Sequence, residues 1–457
     1  MNIKKKIALA AIPAVMALSA TDASSKVLLM SDNGWEVSFD GAANAFHTYT
    51  STGSMESLGV YNQYTTGGET FGGLGIISGA GNANVVNGTF QSLESGSDIS
   101  GISVGLLPNV WGMTIKAPTK NGLDVSGRLG IYTHMNGDGN SGSNNTANWR
   151  ETSLTVSGSF GSVLMGRSLG IHNSNAILND MTLFGVGAAA GNVTGTTLGR
   201  IGVGYVYADW YPQITWTTPG FAGIGAKIGI LQATPLQSST GADATNTKYP
   251  RVEAQLDYNF SVGDLGAYVW VDGQYQNLSR NRAEAQLFNT RNNLVSSLSG
   301  VAKTADTSEY AESVDVGGVS FGTRLTFQGF KLVATGFYNK GIGGQFQGNV
   351  GGAYSGSLDE KGKPRNFYGG YIQGTYDFGQ GTNVGYSYGG NYMTMTGSDM
   401  NNLGTTNANT MHSAMIWHNV TDNFRLIAEG GYAEKSWYLA DDDQEDTFGG
   451  VGAFFFW

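Results

Sequence analysis

From Trp35 onward the chain alternates between two kinds of position. Trp35, Val37, Phe39, Gly41, Ala43 and Ala45 are apolar or small, while Glu36, Ser38, Asp40 and Asn44 between them are polar. This is the period of two that sends successive side chains to opposite faces of a β-strand. The pattern returns at Leu123, Val125, Leu129 and Ile131 against Asp124, Ser126 and Arg128. It returns again at Val252, Ala254, Leu256 and Tyr258 against Arg251, Glu253, Gln255 and Asp257, and at Tyr368, Ile372, Tyr376 and Phe378 against Tyr371, Gln373, Thr375 and Asp377. A helical period of 3.6 fits none of these. Sixteen strands are predicted, starting near residues 35, 102, 123, 149, 161, 211, 224, 251, 266, 314, 330, 367, 382, 411, 424 and 447. An even count puts both ends of the array on one side.

The connections alternate in length. Lys120-Asn121-Gly122, Ser159-Phe160-Gly161, Thr218-Pro219-Gly220, Gln328-Gly329 and Asp422-Asn423 have the composition of tight turns. The segments 50–100, 168–209, 279–313 and 339–366 all exceed the ~12 to 15 residues expected of a loop in a compact domain. Short turns at one end and long loops at the other are the layout of a bacterial outer-membrane barrel, which closes every backbone edge as lipid requires. An aqueous β-sandwich shares the alternation. It does not account for polar faces that hold charges of both signs, which suit a wide, water-filled lumen, and sixteen strands give such a lumen where eight would be filled by side chains.

Composition narrows the class. Charged residues are 13% of the chain, against about 25% in ordinary globular proteins, and there are 70 Gly and 8 Pro without a G-X-Y period. The 22 Tyr, 21 Phe and 9 Trp exclude a disordered chain. No apolar run beyond residue 20 approaches the ~20 residues of a membrane helix. The absence of Cys removes disulfides, thiolate metal sites and Cys nucleophiles together. A net charge of -10 offers no basic excess for nucleic acid. At the start, Lys4, Lys5 and Lys6 precede an apolar stretch over Ile7–Ala20 and then small residues, the layout of a secretory leader, with cleavage expected after Ala23. Residues 24–457 are then the mature barrel domain, more acidic still, because the leader takes away three lysines and only Asp22.

The C-terminus carries the pattern to its last residue, with Val451, Ala453, Phe455 and Trp457 on alternate positions. This tail resembles the terminal strand by which outer-membrane barrels are recognised by the barrel assembly machinery. Trp457 stands where most such proteins have Phe. WEVSFDGAANAF from Trp35, GSFGSVLMGR over Gly158–Arg167, NDMTLFGVGAAAGNVTGTTLGR over Asn179–Arg200 and ITWTTPGFAG over Ile214–Gly223 resemble strand 1, strand 5, the constriction loop and strand 6 of the trimeric general porins of Gram-negative outer membranes. The likeness spans the mature chain. It implies a 16-stranded antiparallel barrel assembled as a homotrimer, with loop 3 folded into each lumen, short periplasmic turns, long extracellular loops contacting lipid and lipopolysaccharide, and both termini periplasmic. The long segment 50–100 has room for a further pair of strands, which would make eighteen. The resemblance also implies a constriction where acidic residues of loop 3 face basic residues of the wall. The loop offers Asp180, and Arg167 matches the wall arginine of the family. Arg128, Lys227, Arg251 and Arg324 fall on polar faces by period alone.

Other motifs lead nowhere. The Gly spacing at 185–191 and 223–229 is one residue too long for a dinucleotide fingerprint. The five His never fall in metal-ligand spacing, and no G-x-S-x-G occurs. Asn136, Asp138 and Asn140 imitate the first calcium-loop ligands, but Ala147 stands where the twelfth position needs Glu. Asp441, Asp442, Asp443, Glu445 and Asp446 form an acidic loop tip, either simply solvated or bridged by divalent cations to lipopolysaccharide. The expected function is passive diffusion of small hydrophilic solutes and ions, without cofactor or catalysis. The alternatives are a solute-selective channel and, more remotely, a barrel adhesin or enzyme. Glu36, Asp40, Asp257, Asp272, Asp315 and Asp377, read as inward-facing, predict with the net charge a weak preference for cations.

Overall fold

The computed structural model describes residues 27–53, 57–61, 64–66, 69–71, 88–91, 97–135, 147–187, 196–236, 244, 246–279, 313–348, 356–359, 362–397, 406–438 and 443–457. The expected leader, the calcium-like residues 136–140 and the acidic positions 441–442 lie outside them.

The strands are β1 (Val27–Asp32), β2 (Trp35–Thr52), β3 (Ser57–Tyr61), β4 (Tyr64–Thr66), β5 (Glu69–Phe71), β6 (Gly88–Gln91), β7 (Ser97–Ser103), β8 (Asn109–Lys116), β9 (Asp124–Thr133), β10 (Ala147–Gly158) and β11 (Gly161–Leu169). They continue with β12 (Trp210–Thr217), β13 (Ile224–Leu231), β14 (Arg251–Val262), β15 (Leu265–Ser279), β16 (Ser313–Phe327), β17 (Phe330–Lys340), β18 (Asn366–Asp377), β19 (Thr382–Thr394), β20 (Thr406–Asn419), β21 (Phe424–Trp437) and β22 (Gln444–Phe456). Each wall strand pairs antiparallel with its neighbours, and β22 closes onto β2 from Ala42↔Phe456 to Thr52↔Asp446. The result is a closed 16-strand barrel with two extra strands. The extra count has two sources. β7 and β8 both pair with β2 and form one stave broken between Ser103 and Asn109, while β1 is a hairpin strand attached only to the start of β2. The first long loop adds two small ribbons, β3 with β6 and β4 with β5, outside the wall.

Turn chemistry sets the register at the short-turn end. Asn121 (φ 55) and Gly122 (φ 75) both have positive φ, and Lys120 and Leu123 bond each other's backbone. That is the two-residue geometry whose twist matches a hairpin, and Asn-Gly adopts it at least cost. Gln328 (φ 45) and Gly329 (φ 87) repeat it between β16 and β17.

The two faces of the wall differ as the alternation predicts. On β12 Ile214 and Trp216 are exposed while Gln213 and Thr215 are buried, and on β15 Val269 and Val271 are exposed while Asp272 is 3% exposed. The interior is not polar all round. Phe46, Leu106, Leu107, Phe448 and Phe454 form an apolar cluster inside the barrel with Ile177, Met181, Leu183 and Val186 of the loop between β11 and β12. That loop is poor in charge, so placing it in the lumen requires an apolar surface to cover it. Among the described residues no helix is long and apolar enough to cross a membrane.

Candidate functional site

The third long loop, residues 170–209, enters the barrel through helix α1 (Ser174–Asn179) and a 3-10 turn over Met181–Phe184. Neither is long enough to hold itself together, and the wall supplies what they lack. Glu253 Oε2 on β14 accepts the backbone N–H groups of Ile171 (2.5 Å) and His172 (3.0 Å). Asp272 Oδ1 on β15 accepts from Asn173 N (3.0 Å) and lies 2.8 Å from His172 Nδ1. On β18, Gln373 accepts from Met181 N (2.7 Å) and donates to Asn179 O (3.1 Å), and the Tyr371 hydroxyl donates to Ala176 O (2.7 Å). Glu429 on β21 accepts from Val186 N (2.6 Å) and, through its other oxygen, from the Ser413 hydroxyl (2.7 Å). Hydrogen bonds from backbone to a carboxylate are roughly twice as strong as neutral ones, so charged wall residues are suited to fixing a loop with little regular structure.

Asp180 caps the 3-10 turn. Its carboxylate accepts from Thr182 N (2.9 Å), the Thr182 hydroxyl (2.5 Å) and the Tyr205 hydroxyl (2.8 Å), with Arg200 Nε at 3.9 Å. Arg200 is held in turn by the Ser387 hydroxyl and by the carbonyls of Met411 (3.2 Å) and Val203 (3.3 Å). Burial pushes the Asp180 carboxyl above its ordinary range, against the pull of Arg200 and of these hydrogen bonds, and it pushes the Arg200 guanidinium down. Both charges are penalised by the same dry surroundings.

The basic candidates fall in different places. Arg128 is inside the barrel, bidentate to Asp40 (2.5 and 2.9 Å) and 3.3 Å from Glu151. Arg251 is fully buried under loop residues: Nη1 donates to Thr234 (2.7 Å) and Gln347 (3.0 Å), and the guanidinium lies 3.9 Å from the Tyr211 ring centroid. Its Nε approaches Glu253 to 2.9 Å as an ion pair without hydrogen-bond geometry. Arg324 donates to Asn179 Oδ1 (3.1 Å) and so touches loop 3 directly. Lys227 stands in register with Thr217 and Gln255 on the inward side, with no ion pair among the described residues.

Arg167 is elsewhere. It is in register with Thr152 and Pro212, both exposed, and Pro212 shares its side of β12 with Ile214 and Trp216. Residues directly opposite on antiparallel strands share a face, so Arg167 belongs to the outer side of the wall and not to the constriction. Its Nε is buried and has no hydrogen-bond partner among the described residues. The alternation Val163, Met165, Arg167 points the same way, against the motif likeness. Asp315 is a second correction. It shares the outer face with Tyr275, whose hydroxyl donates to it at 2.7 Å, as does Asn277 Nδ2 at 2.8 Å. The residues that sequence reasoning missed are the pinning groups Glu253, Gln373 and Glu429, which sit at ordinary inward positions and belong to no motif.

No protein-family model matches the chain, and no curated protein does either. Solved structures do match. The outer membrane channel DcaP of Acinetobacter baumannii is 13% identical with a TM-score of 0.61, over 94% of this chain and 100% of that one. The anion-selective porin from Comamonas acidovorans is 13% identical with a TM-score of 0.53, over 93% and 100%. Salmonella typhi OmpF, in complex with daunomycin, is 14% identical with a TM-score of 0.51, over 93% and 99%. At these identities the likeness is one of fold.

Proposed function

We propose that this chain forms a pore through a Gram-negative outer membrane by which small hydrophilic solutes and ions diffuse passively. The division of the wall carries the proposal. A closed barrel leaves Ile214, Trp216, Leu256 and Val271 exposed outside while Arg128, Lys227, Asp257 and Arg324 face inward. In water that belt would be a large apolar patch, whereas in lipid it is the required face.

The remaining parts of the reading follow from it. Residues 1–23 would be removed on export, the short turns and both termini would face the periplasm, and the strand ending at Trp457 would be read by the assembly machinery. Three copies would associate through the β2 side, where Gly41, Ala43 and Ala45 present little bulk, with lipid and lipopolysaccharide around the rest. Five of the inward carboxylates, Asp40, Glu151, Asp180, Glu253 and Asp272, each have a guanidinium, imidazole or backbone N–H partner. These pairings leave little of the net acidic charge free in the lumen to draw cations. The apolar cluster inside the barrel favours a narrow, solute-selective channel over a wide general one.

Single-channel conductance in planar bilayers, across a series of salts and neutral sugars, tests the proposal. Discrete current steps reduced by the smaller sugars are expected. A folded, inserted protein that carries no current in any salt overturns it.

A further inference from the structure

At the long-loop end of the barrel one row of positions runs across four strands. Asn391 on β19 stands opposite Asn409 on β20, Asn409 opposite Lys435 on β21, and Lys435 opposite Gln444 on β22. Residues directly opposite on antiparallel strands share a face, and Asn391 fixes that face as the inner one by its bonds to loop 3. Its Oδ1 accepts from Gly204 N (2.8 Å), and its Nδ2 donates to Tyr205 O (3.2 Å) and to Gly344 O (2.5 Å). The neighbouring amide differs. Asn409 Oδ1 is buried and has no hydrogen-bond partner among the described residues.

Asn391 and Asn409 line a cavity of about 230 Å³ between this row and the returning arm of loop 3. Gln345, Lys435 and Asp446 add polar groups to its lining, and Ile201 and Phe367, both buried, add apolar surface. Gly202, with φ 86, leaves room for Gln345, whose Cγ a Cβ there would meet at 2.8 Å. Asp446 is opposite Ala433, two positions before Lys435, so one cation and one anion reach the inner face on adjacent strands. Glu434, which also lines the cavity, leaves its strand on the other face by the same alternation. The charges therefore select against neither sign strongly. A hydroxyl both donates and accepts and so suits amide, ammonium and carboxylate alike. A solute without donors would leave the Asn409 oxygen unpaired, and sites with buried polar groups reject such solutes. Size sets the other limit, since drug-sized ligands take roughly 300 to 1,000 Å³.

We infer that this cavity is a subsite for a small neutral polyhydroxylated solute of about monosaccharide size, with Asn409 Oδ1 accepting one of its hydroxyls and Ile201 and Phe367 covering its C–H face. This rests on the pore reading above and names its solute class.

The test uses the full mature protein in planar bilayers at about 1 M KCl, where charge effects are screened. D-glucose should reduce the current saturably, and further than a methyl-capped ethylene glycol oligomer of matched mass, which accepts hydrogen bonds and donates none. The half-blocking glucose concentration should rise roughly fivefold in Asn409→Leu, the effect of one lost hydrogen bond, and at least as much in Ala433→Leu, which fills the cavity from β21. Calorimetric titration of glucose into the folded protein in detergent should show one saturable site per chain, weakened in both variants. Equal, unsaturable reduction by glucose and the capped oligomer, or glucose block unchanged in both variants, overturns the subsite and leaves the pore standing. Glucose binding without any current overturns the pore and leaves the subsite. Should a variant fail to fold, the comparison of glucose with the capped oligomer on the unaltered protein still decides.

Discussion

Asp180 and Arg200 face each other within the loop between β11 and β12 at 3.9 Å, and neither side chain is exposed to solvent. Burial raises the carboxyl, so the folded chain binds that proton more tightly than the unfolded chain does. The stability from this group is then fully present below the ordinary carboxylate value of ~4 and is lost as pH rises through the raised one. Asp180→Asn keeps an acceptor for Thr182 and Tyr205 without the charge. It should match the unaltered protein at acid pH and equal or exceed it at neutral pH, as read by heat dissociation in detergent. Asp180→Ala strands three donors and should cost about 3 kcal/mol or more at either pH.

Glu253 holds the entry of loop 3 by two backbone bonds and also faces Arg251. Glu253→Ala leaves a buried guanidinium without its ion-pair partner, a change of about 3 to 5 kcal/mol. The expected outcome is a loosened loop, with larger or noisier single-channel currents and faster protease cleavage within 170–209 in detergent. Currents and cleavage identical to those of the unaltered protein would refute the pinning role.

Gly41 sits where the barrel closes. A Cβ there would meet Val110 O at 2.2 Å and the Trp457 ring at 2.5 Å, and Gly41 and Trp457 bond each other's backbone at 2.8 and 3.1 Å. Gly41→Val should prevent closure of β2 on β22 and abolish the heat-modifiable folded band on electrophoresis. Trp457→Ala removes ring contacts to Phe39 (5.8 Å) and Trp111 (5.0 Å) and should lower the dissociation temperature without abolishing folding.

Arg167 lies on the outer side of β11, in register with Thr152 and Pro212. Arg167→Ala should therefore leave the reversal potential in a KCl gradient unchanged. A clear change in ion preference would return this residue to the lumen. Homotrimer formation is tested on the same samples, where a detergent-stable species at three times the mature mass, dissociated by heat, is expected.

The barrel was legible in the sequence because its determinants are local. Alternation at Val252–Tyr258 or Tyr368–Phe378 needs only neighbouring residues to assign two faces, and Asn121-Gly122 specifies its turn by backbone preference alone. The same local rule places Arg128, Lys227, Arg251 and Arg324 inward. What those side chains do once inside depends on which strands the closed wall brings face to face. Glu253, Gln373 and Glu429 come from β14, β18 and β21, far apart in the chain, and only closure aims them at one loop. Nor could the period show that Asp180 would pair with Arg200. A strand's alternation fixes the direction in which a side chain leaves the wall. Its partner and its net charge in place are set by long-range packing, and the tertiary structure alone decides them.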